Sequence, residues 1–325
     1  MSEPMVPFDA ELAAGLGANP GLVGPNEITA DMIARIRLER AGTQPSDLEL
    51  SRQGRFLVSD LAVPGPAGQP DIALLVCRPN VTGAAPMLYF VHGGGMVFND
   101  RRTGGLSGAL DWAERTDSAV VSVEYRLPPE HRHPAPVEDC YAGLRWIYEH
   151  AAGVGLDAER IILAGMSAGA GLAASVALLN RERGQIPLVG QMLIAPMLDD
   201  RCDTQSMRQM AGPGVWDQIT SRTGWGALLG DARGGLDVSP FASPARADNL
   251  AGLPPTFIDV GSADTFRDEA VAYASRIWRD GGRAELHVWP GGFHGFDFFV
   301  PSAAISRAAR LERIQWLQRI LGIEQ

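Results

Sequence analysis

Apolar residues gather in short blocks along this chain, and the blocks change period as they go. Compact apolar runs, many rich in β-branched side chains, occupy 56–63, 72–76, 87–91, 119–123, 161–163, 191–194, 256–260 and 284–288. Runs of this length and makeup predict strands. The first two are separated by the Pro- and Gly-rich turn 64–70, which predicts an antiparallel pair. Between the later runs the apolar positions shift to helical spacing. Val137, Cys140, Tyr141, Leu144, Ile147 and Tyr148 share one face of a helix from about residue 136. Further helices are expected over 172–179, 267–279 and 305–321. Strands alternating with helices predict an α/β fold: a mostly parallel eight-stranded sheet with helices on both faces.

Two stretches break the alternation. Residues 1–54 precede any strand. They hold a charged helix over 31–40 whose apolar stripe is expected to be Met32, Ile33, Ile36 and Leu38. Residues 199–253 contain no strand pattern. They carry several Gly and Pro punctuators and the apolar residues Met207, Met210, Trp216, Trp225, Leu228 and Leu229. An insertion after a strand's C-terminal end lies over the ligand-binding edge of an open α/β sheet. The expected organisation is therefore an N-terminal helical cap segment at 1–54, a core at 55–198 and 254–325, and a helical cap insertion at 199–253.

Composition narrows the field. With 46% hydrophobic and 20% charged residues, the chain is an ordinary globular one. A net charge of -10 argues against nucleic acid or an anionic membrane as partner. Cys77, Cys140 and Cys202 are too few and too far apart for a disulfide framework or a zinc site, so buried free thiols are expected. The uncharged stretch 161–179 approaches membrane-spanning length, but glycines and serines interrupt it, and a strand plus a helix explains it without membrane insertion. The acidic start Met1-Ser2-Glu3-Pro4 lacks an apolar signal core, and a cytoplasmic setting is expected.

The candidate chemistry sits at the ends of the predicted strands. Gly165-Met166-Ser167-Ala168-Gly169 follows one strand and opens a helix. G-x-S-x-G in that context reads as a nucleophile elbow, although the motif alone is short enough to arise by chance. A serine hydroxyl needs a base, and the base needs an orienting carboxylate. After Ser167 the only histidines are His287 and His294. His287 alternates with Leu286 and Val288 inside the last strand, whereas His294 lies in the glycine-rich loop Gly291-Gly292-Phe293-His294-Gly295-Phe296 just beyond it. Asp264 follows the strand 256–260 directly. Asp268 is the alternative acid, and Asp259 falls within the strand. An oxyanion needs donors aimed at it. Ala168 N–H is one candidate, and Gly93, Gly94 and Gly95 in His92-Gly93-Gly94-Gly95 are the others, with His92 holding the loop. The candidate catalytic set is thus Ser167, Asp264 and His294. His131 and His133 sit in a proline-rich turn without further ligands, so no metal and no cofactor are expected.

Taken in order, His92 to Gly95, Tyr125-Arg126-Leu127-Pro128-Pro129-Glu130 with Val137-Glu138-Asp139, Gly165 to Gly169, and Asp264 to Glu269 with His294-Gly295-Phe296 resemble the hormone-sensitive lipase family of α/β-hydrolases, bacterial esterase branch. Ser239-Pro240 and Gly252-Leu253-Pro254-Pro255 extend the similarity, which covers roughly residues 55–320. The resemblance implies the α/β-hydrolase fold with a helical cap. It implies a serine carboxylic ester hydrolase acting on short- to medium-chain acyl esters through an acyl-enzyme, with a small-molecule ester and water as its partners. Pairing into a homodimer is a further option it raises. Three positions depart from the family pattern: Met166 where an Asp is common, Ala170 in place of Gly, and Thr265-Phe266 in place of Pro-Leu. Two alternatives stay open at this point. One is an amidase, lactonase or carbamate hydrolase with the same triad; the other is a non-catalytic small-molecule binder, against which His294 speaks.

Overall fold

The structure is a computed structural model and describes residues 4–19, 28–184, 186–212 and 214–323. Eight strands form one sheet: β1 (Phe56–Val63), β2 (Ile72–Pro79), β3 (Ala85–Val91), β4 (Ala119–Val123), β5 (Leu156–Met166), β6 (Gly190–Ile194), β7 (Thr256–Gly261) and β8 (Ala284–Trp289). Their order is β1-β2-β4-β3-β5-β6-β7-β8. β2 runs against both of its neighbours, and every pairing from β4 to β8 is parallel. This is the expected mostly parallel sheet with its antiparallel pair at one edge.

Strand alternation sorts the core into two faces. Met87, Tyr89 and Val91 of β3, with Ile161 and Leu163 of β5, pack on one side. There they meet Leu144 and Ile147 of α5 (Ala135–His150), Leu172 and Val176 of α6 (Ala168–Arg183), and Tyr273 and Ile277 of α9 (Arg267–Arg279). Leu88, Phe90 and Ile162 point the other way. They meet Leu110 and Trp112 of α4 (Leu106–Glu114) and Trp316 and Leu317 of α11 (Ala304–Leu321). Both faces are closed, which is why the strands read as continuous apolar runs. Burying each such Leu, Ile or Phe contributes about 1.5–3 kcal/mol.

Three local expectations need correction. α4 is absent from the expected helices, yet Leu106, Ala109, Leu110 and Ala113 recur at helical spacing and are buried. β2 and β5 extend beyond their apolar centres, because ladder pairing continues through polar residues such as Arg78. Leu38 does not belong to the buried stripe of α2 (Ile33–Arg40); it is 76% exposed while Ile33 and Ile36 are buried. Two residues beyond Ile36, at about 100° per residue, it turns to the opposite side of the helix.

The other helices are α1 (Ala10–Ala18), α3 (Asp47–Leu50), α7 (Gln205–Gln209), α8 (Gln218–Leu229) and the short α10 (Phe296–Phe299). Among the described residues of 199–253 there is no strand. Arg37 of α2 donates to Val97 O at 2.7 Å and Pro128 O at 2.5 Å, and pairs with Glu130 at 2.8 Å. At the chain start, Asp9 N–H donates to Gly291 O at 3.1 Å, and Phe8 meets Phe293 edge-on at 5.5 Å. Cys77, Cys140 and Cys202 are buried free thiols. Among the described residues no helix is long and apolar enough to cross a membrane.

Candidate active site

Because β3, β5, β7 and β8 are parallel, their C-terminal ends open onto one edge of the sheet, and each supplies a loop to it. β5 ends at Met166, and Ser167 follows at φ 57 and ψ -123 before α6 begins. That conformation costs a non-glycine residue about 1–3 kcal/mol and is typical of a nucleophile turn. The turn is held by Ser167 N–H donating to Ile194 O at 2.8 Å, and by Ser167 O accepting from Gly171 and Met197 N–H at 3.1 Å each. A Cβ on Gly169 would strike the carbonyl oxygens of Val91 and His92, so a side chain there would push the elbow off β3.

His294 Nε2 lies 2.9 Å from Ser167 Oγ, and His294 Nδ1 lies 2.9 Å from Asp264 Oδ2. A carboxylate only accepts, so Nδ1 carries the proton and the Nε2 lone pair faces the serine hydroxyl. Ser167, His294 and Asp264 are all buried. Asp264 is fixed in turn by Phe266 N–H donating to its Oδ1 at 2.9 Å, and the Phe266 ring meets the imidazole edge-on at 5.1 Å. The rejected acids have other partners. Asp268 accepts from Arg267 Nε and Ser206 N–H, both at 2.7 Å, and Asp259 pairs with Arg313 at 2.8 Å. His287 sits in β8 opposite Asp259.

The loop after β3 faces the serine. Among the described residues, the N–H groups of Gly94, Gly95 and Ala168 have no acceptor within the protein. Gly93 is different and leaves the expected donor set: its N–H donates to Gly104 O at 2.8 Å. Its carbonyl ties the loop down instead, accepting from Asn99 Nδ2 at 3.0 Å and His92 Nδ1 at 3.1 Å. His92 is fully buried and stacked on Tyr125 at 4.2 Å, and the Tyr125 hydroxyl donates to His92 O at 2.9 Å. Burial pushes the His92 pKa down, which keeps the ring neutral. Arg126 in the same motif grips the buried Asp139 through Nε at 2.8 Å and NH2 at 2.7 Å.

A cavity of about 600 Å³ contains Ser167, His294 and the glycine loop. Its walls include Ile36 of α2, Phe98, Met166, Trp216 and Phe299. Two comparisons bear on what such an arrangement belongs to. A family model for the alpha/beta hydrolase fold matches residues 88–298. Esterase LipI of Mycobacterium tuberculosis is 36% identical over 280 residues, covering 83% of each chain. The chain belongs to the α/β-hydrolase family. Within it the chain falls in the branch that resembles hormone-sensitive lipase. Carboxylesterase NlhH of M. tuberculosis is 36% identical over 287 residues, covering 84% of this chain and 85% of that one. Among solved structures, a bacterial heroin esterase superposes with TM-score 0.88 at 34% identity over 97% of this chain and 98% of that one. Esterase LipW from Mycobacterium marinum gives 0.85 at 31% identity over 98% of each.

Sequence reasoning missed part of this hydrolase's site. In the sequence Trp216 stands out only as an apolar residue of the 199–253 stretch. Its indole lies directly on Gly95, 6.3 Å from the His294 ring, and is anchored by its N–H to Ser221 Oγ at 3.0 Å. Only the tertiary packing of α8, where a Cβ on Gly224 would strike Gly95 O, brings it there. Met166 lines the cavity beside the serine, with Gly105 and Gly295 close to its thioether. Glu285, His287 and Glu312 place donor atoms within 4.8 Å of one another, on β8 and α11, three strands over from β5. Arg319 already bridges them, at 2.8 Å to Glu285 and 3.4 Å to Glu312, so that cluster is served by a guanidinium.

Proposed function

We propose that this hydrolase is a serine carboxylesterase acting on short- to medium-chain acyl esters through an acyl-enzyme. The observation that carries the reading is the hydrogen-bonded line Ser167–His294–Asp264, at 2.9 Å per link, facing the unclaimed N–H groups of Gly94, Gly95 and Ala168. His294 takes the Ser167 proton as Oγ attacks the ester carbonyl. Asp264 holds the imidazole in the right tautomer and stabilises the imidazolium. The oxygen of the tetrahedral intermediate turns toward the three N–H groups; each such donor is worth about 100- to 1000-fold in rate. The alcohol leaves with the proton from His294, and a water activated by the same ring then releases the acid. The names of the relatives, esterase and carboxylesterase, support the ester as the bond cleaved.

The helices at 1–54 and 199–253 act together as a cap in this reading. Ile36 from the first and Trp216 from the second line the same cavity as Ser167. The cavity of about 600 Å³, walled by apolar and polar side chains together, is of ordinary ligand-binding size and supports acyl chains of modest length. Ser167→Ala is expected to lower turnover of 4-nitrophenyl butyrate about 10⁴-fold or more and to abolish labelling by a fluorophosphonate. Near-normal turnover by that variant would overturn the mechanism.

A further inference from the structure

Among the described residues, the charged side chains around the catalytic cavity are Arg35, Glu39 and Arg40 of α2, together with Asp217. Arg35 and Glu39 neutralise one another at 2.7 Å. Asp217 is buried, and its Oδ1 accepts the Thr220 N–H at 2.8 Å, capping α8. Arg40 is what remains. Among the described residues no carboxylate lies within ion-pair distance of it. Its guanidinium stands 5.1 Å from the centre of the Phe98 ring, and its NH1 donates at 3.4 Å to Asn99 Oδ1. The same Asn99 side chain donates to Gly93 O at 3.0 Å, so a single amide links the guanidinium to the loop that faces Ser167.

This is not for want of acids. The chain has 38 acidic residues against 28 basic ones, every basic one being arginine. The neighbouring arginines Arg37, Arg101 and Arg102 are all ion-paired. Partial desolvation without a compensating carboxylate lowers the Arg40 pKa, though a guanidinium stays charged throughout the working range. A solvent-exposed cation on an aromatic face beside the cavity, with donors left over, is able to receive an anion.

We propose that Arg40 is a specificity-determining residue and that the preferred substrates are esters bearing a carboxylate remote from the scissile bond, which the guanidinium receives at the cavity rim. The inference rests on the esterase reading above. An acid group on the acyl chain and one on the alcohol share this chemistry, and separate substrates tell them apart. For the acyl side, kcat/KM is measured for 4-nitrophenyl hemiglutarate relative to 4-nitrophenyl butyrate. For the alcohol side, 4-butyryloxybenzoate is compared with its methyl ester.

In at least one pair, Arg40→Met is expected to lower the anionic-to-neutral ratio about 10-fold, mainly through KM. Arg40→Lys should recover part of the ratio, and 0.5 M NaCl should compress the wild-type ratio, since a rim charge is screened. Ratios that Arg40→Met leaves unchanged in both pairs overturn the inference while leaving the esterase reading intact. So does a wild-type preference for butyrylcholine over the neutral esters. Failure of the wild type to hydrolyse any of these esters, the neutral ones included, removes the esterase reading and this inference with it.

Discussion

Two buried aspartates follow one another along β7 and its loop, and their partners divide their roles. Asp259, inside the strand, accepts from Arg313 Nε at 2.8 Å and Trp289 Nε1 at 3.1 Å. Asp264, in the loop, accepts from His294 Nδ1 at 2.9 Å and Phe266 N–H at 2.9 Å. Both carboxyls are 1% exposed, so burial does not tell them apart. The partner does. Arg313 is buried as well; burial opposes its charge, but Asp259 and Asp297 outweigh that and raise its pKa. A guanidinium locked in its charged form can hold a carboxylate but cannot take a proton from anything. An imidazole can do both. The two pairs are also joined: Asp297 of α10, which binds Arg313 NH1 at 2.5 Å, lies in the same turn of chain as His294. One network fastens the histidine loop to α11 and β7, and the other puts that loop to use.

The sharpest test exchanges the two acids for amides. Asp264→Asn should lower kcat for 4-nitrophenyl butyrate about 10⁴-fold, because the amide favours the wrong imidazole tautomer, while the melting temperature stays near the wild-type value. Asp259→Asn should do the reverse, keeping kcat within about tenfold of wild type while lowering the melting temperature. If Asp259→Asn abolished turnover in a folded protein, the division between holding and reacting would collapse.

The next effect is one of stability. Arg313→Met strands Asp259 without a cation in the interior and leaves Asp297 only the longer contact with Arg310 at 3.8 Å, and urea unfolding near neutral pH should report a loss of about 3–5 kcal/mol. Adding Asp259→Asn and Asp297→Asn to that background should return a substantial part, since the penalty lies in the uncompensated charges. A single variant as stable as wild type would mean that the network contributes nothing to the native state. A triple variant no better than the single would put the cost in lost packing instead.

This contrast also marks how far the sequence could be read. The strand ends were legible because closed sheet faces leave continuous apolar runs, and parallel topology then brings Ser167, Asp264 and His294 to one edge. Asp264 could be preferred over Asp259 from its position just past a strand rather than inside one. The partner of Asp259 could not be foreseen, since Arg313 is one of many arginines spread along the chain and reaches β7 only through the packing of α11. Gly93 shows the same limit on a smaller scale. Its glycine run announces a donor loop, but the capture of its N–H by Gly104 O depends on how 92–105 folds back on itself. Trp216 belongs to a stretch without a fixed period, and nothing local sets it against Gly95. The breaks in strand rhythm at 1–54 and 199–253 suggest a cap but name no wall residue.

A third buried acid extends the comparison, and with the smallest effect. Glu269 of α9 is 3% exposed and has no cation partner among the described residues. Its Oε1 accepts the Leu198 N–H at 2.6 Å, and Oε2 has no partner among the described residues. Burial therefore pushes its pKa well above the ordinary carboxylate range, so the proton does for Glu269 what Arg313 does for Asp259. The sign of the consequence follows. The unfolded chain releases this proton near the ordinary glutamate pKa, while the native state keeps it to higher pH. Stability from this group is complete below the unfolded value and falls as pH rises toward the native one, by about 1.4 kcal/mol per pH unit. Glu269→Gln keeps the carbonyl that accepts from Leu198 and cannot ionise. Its stability relative to wild type should therefore rise as pH goes from 5 to 6, by no more than about 1.4 kcal/mol, as read from urea unfolding in parallel buffers. A flat difference across that window would mean that the native carboxyl ionises as readily as the unfolded one. Glu269 would then need a charged partner, and protonation would drop out as the third way this fold keeps an acid in its interior.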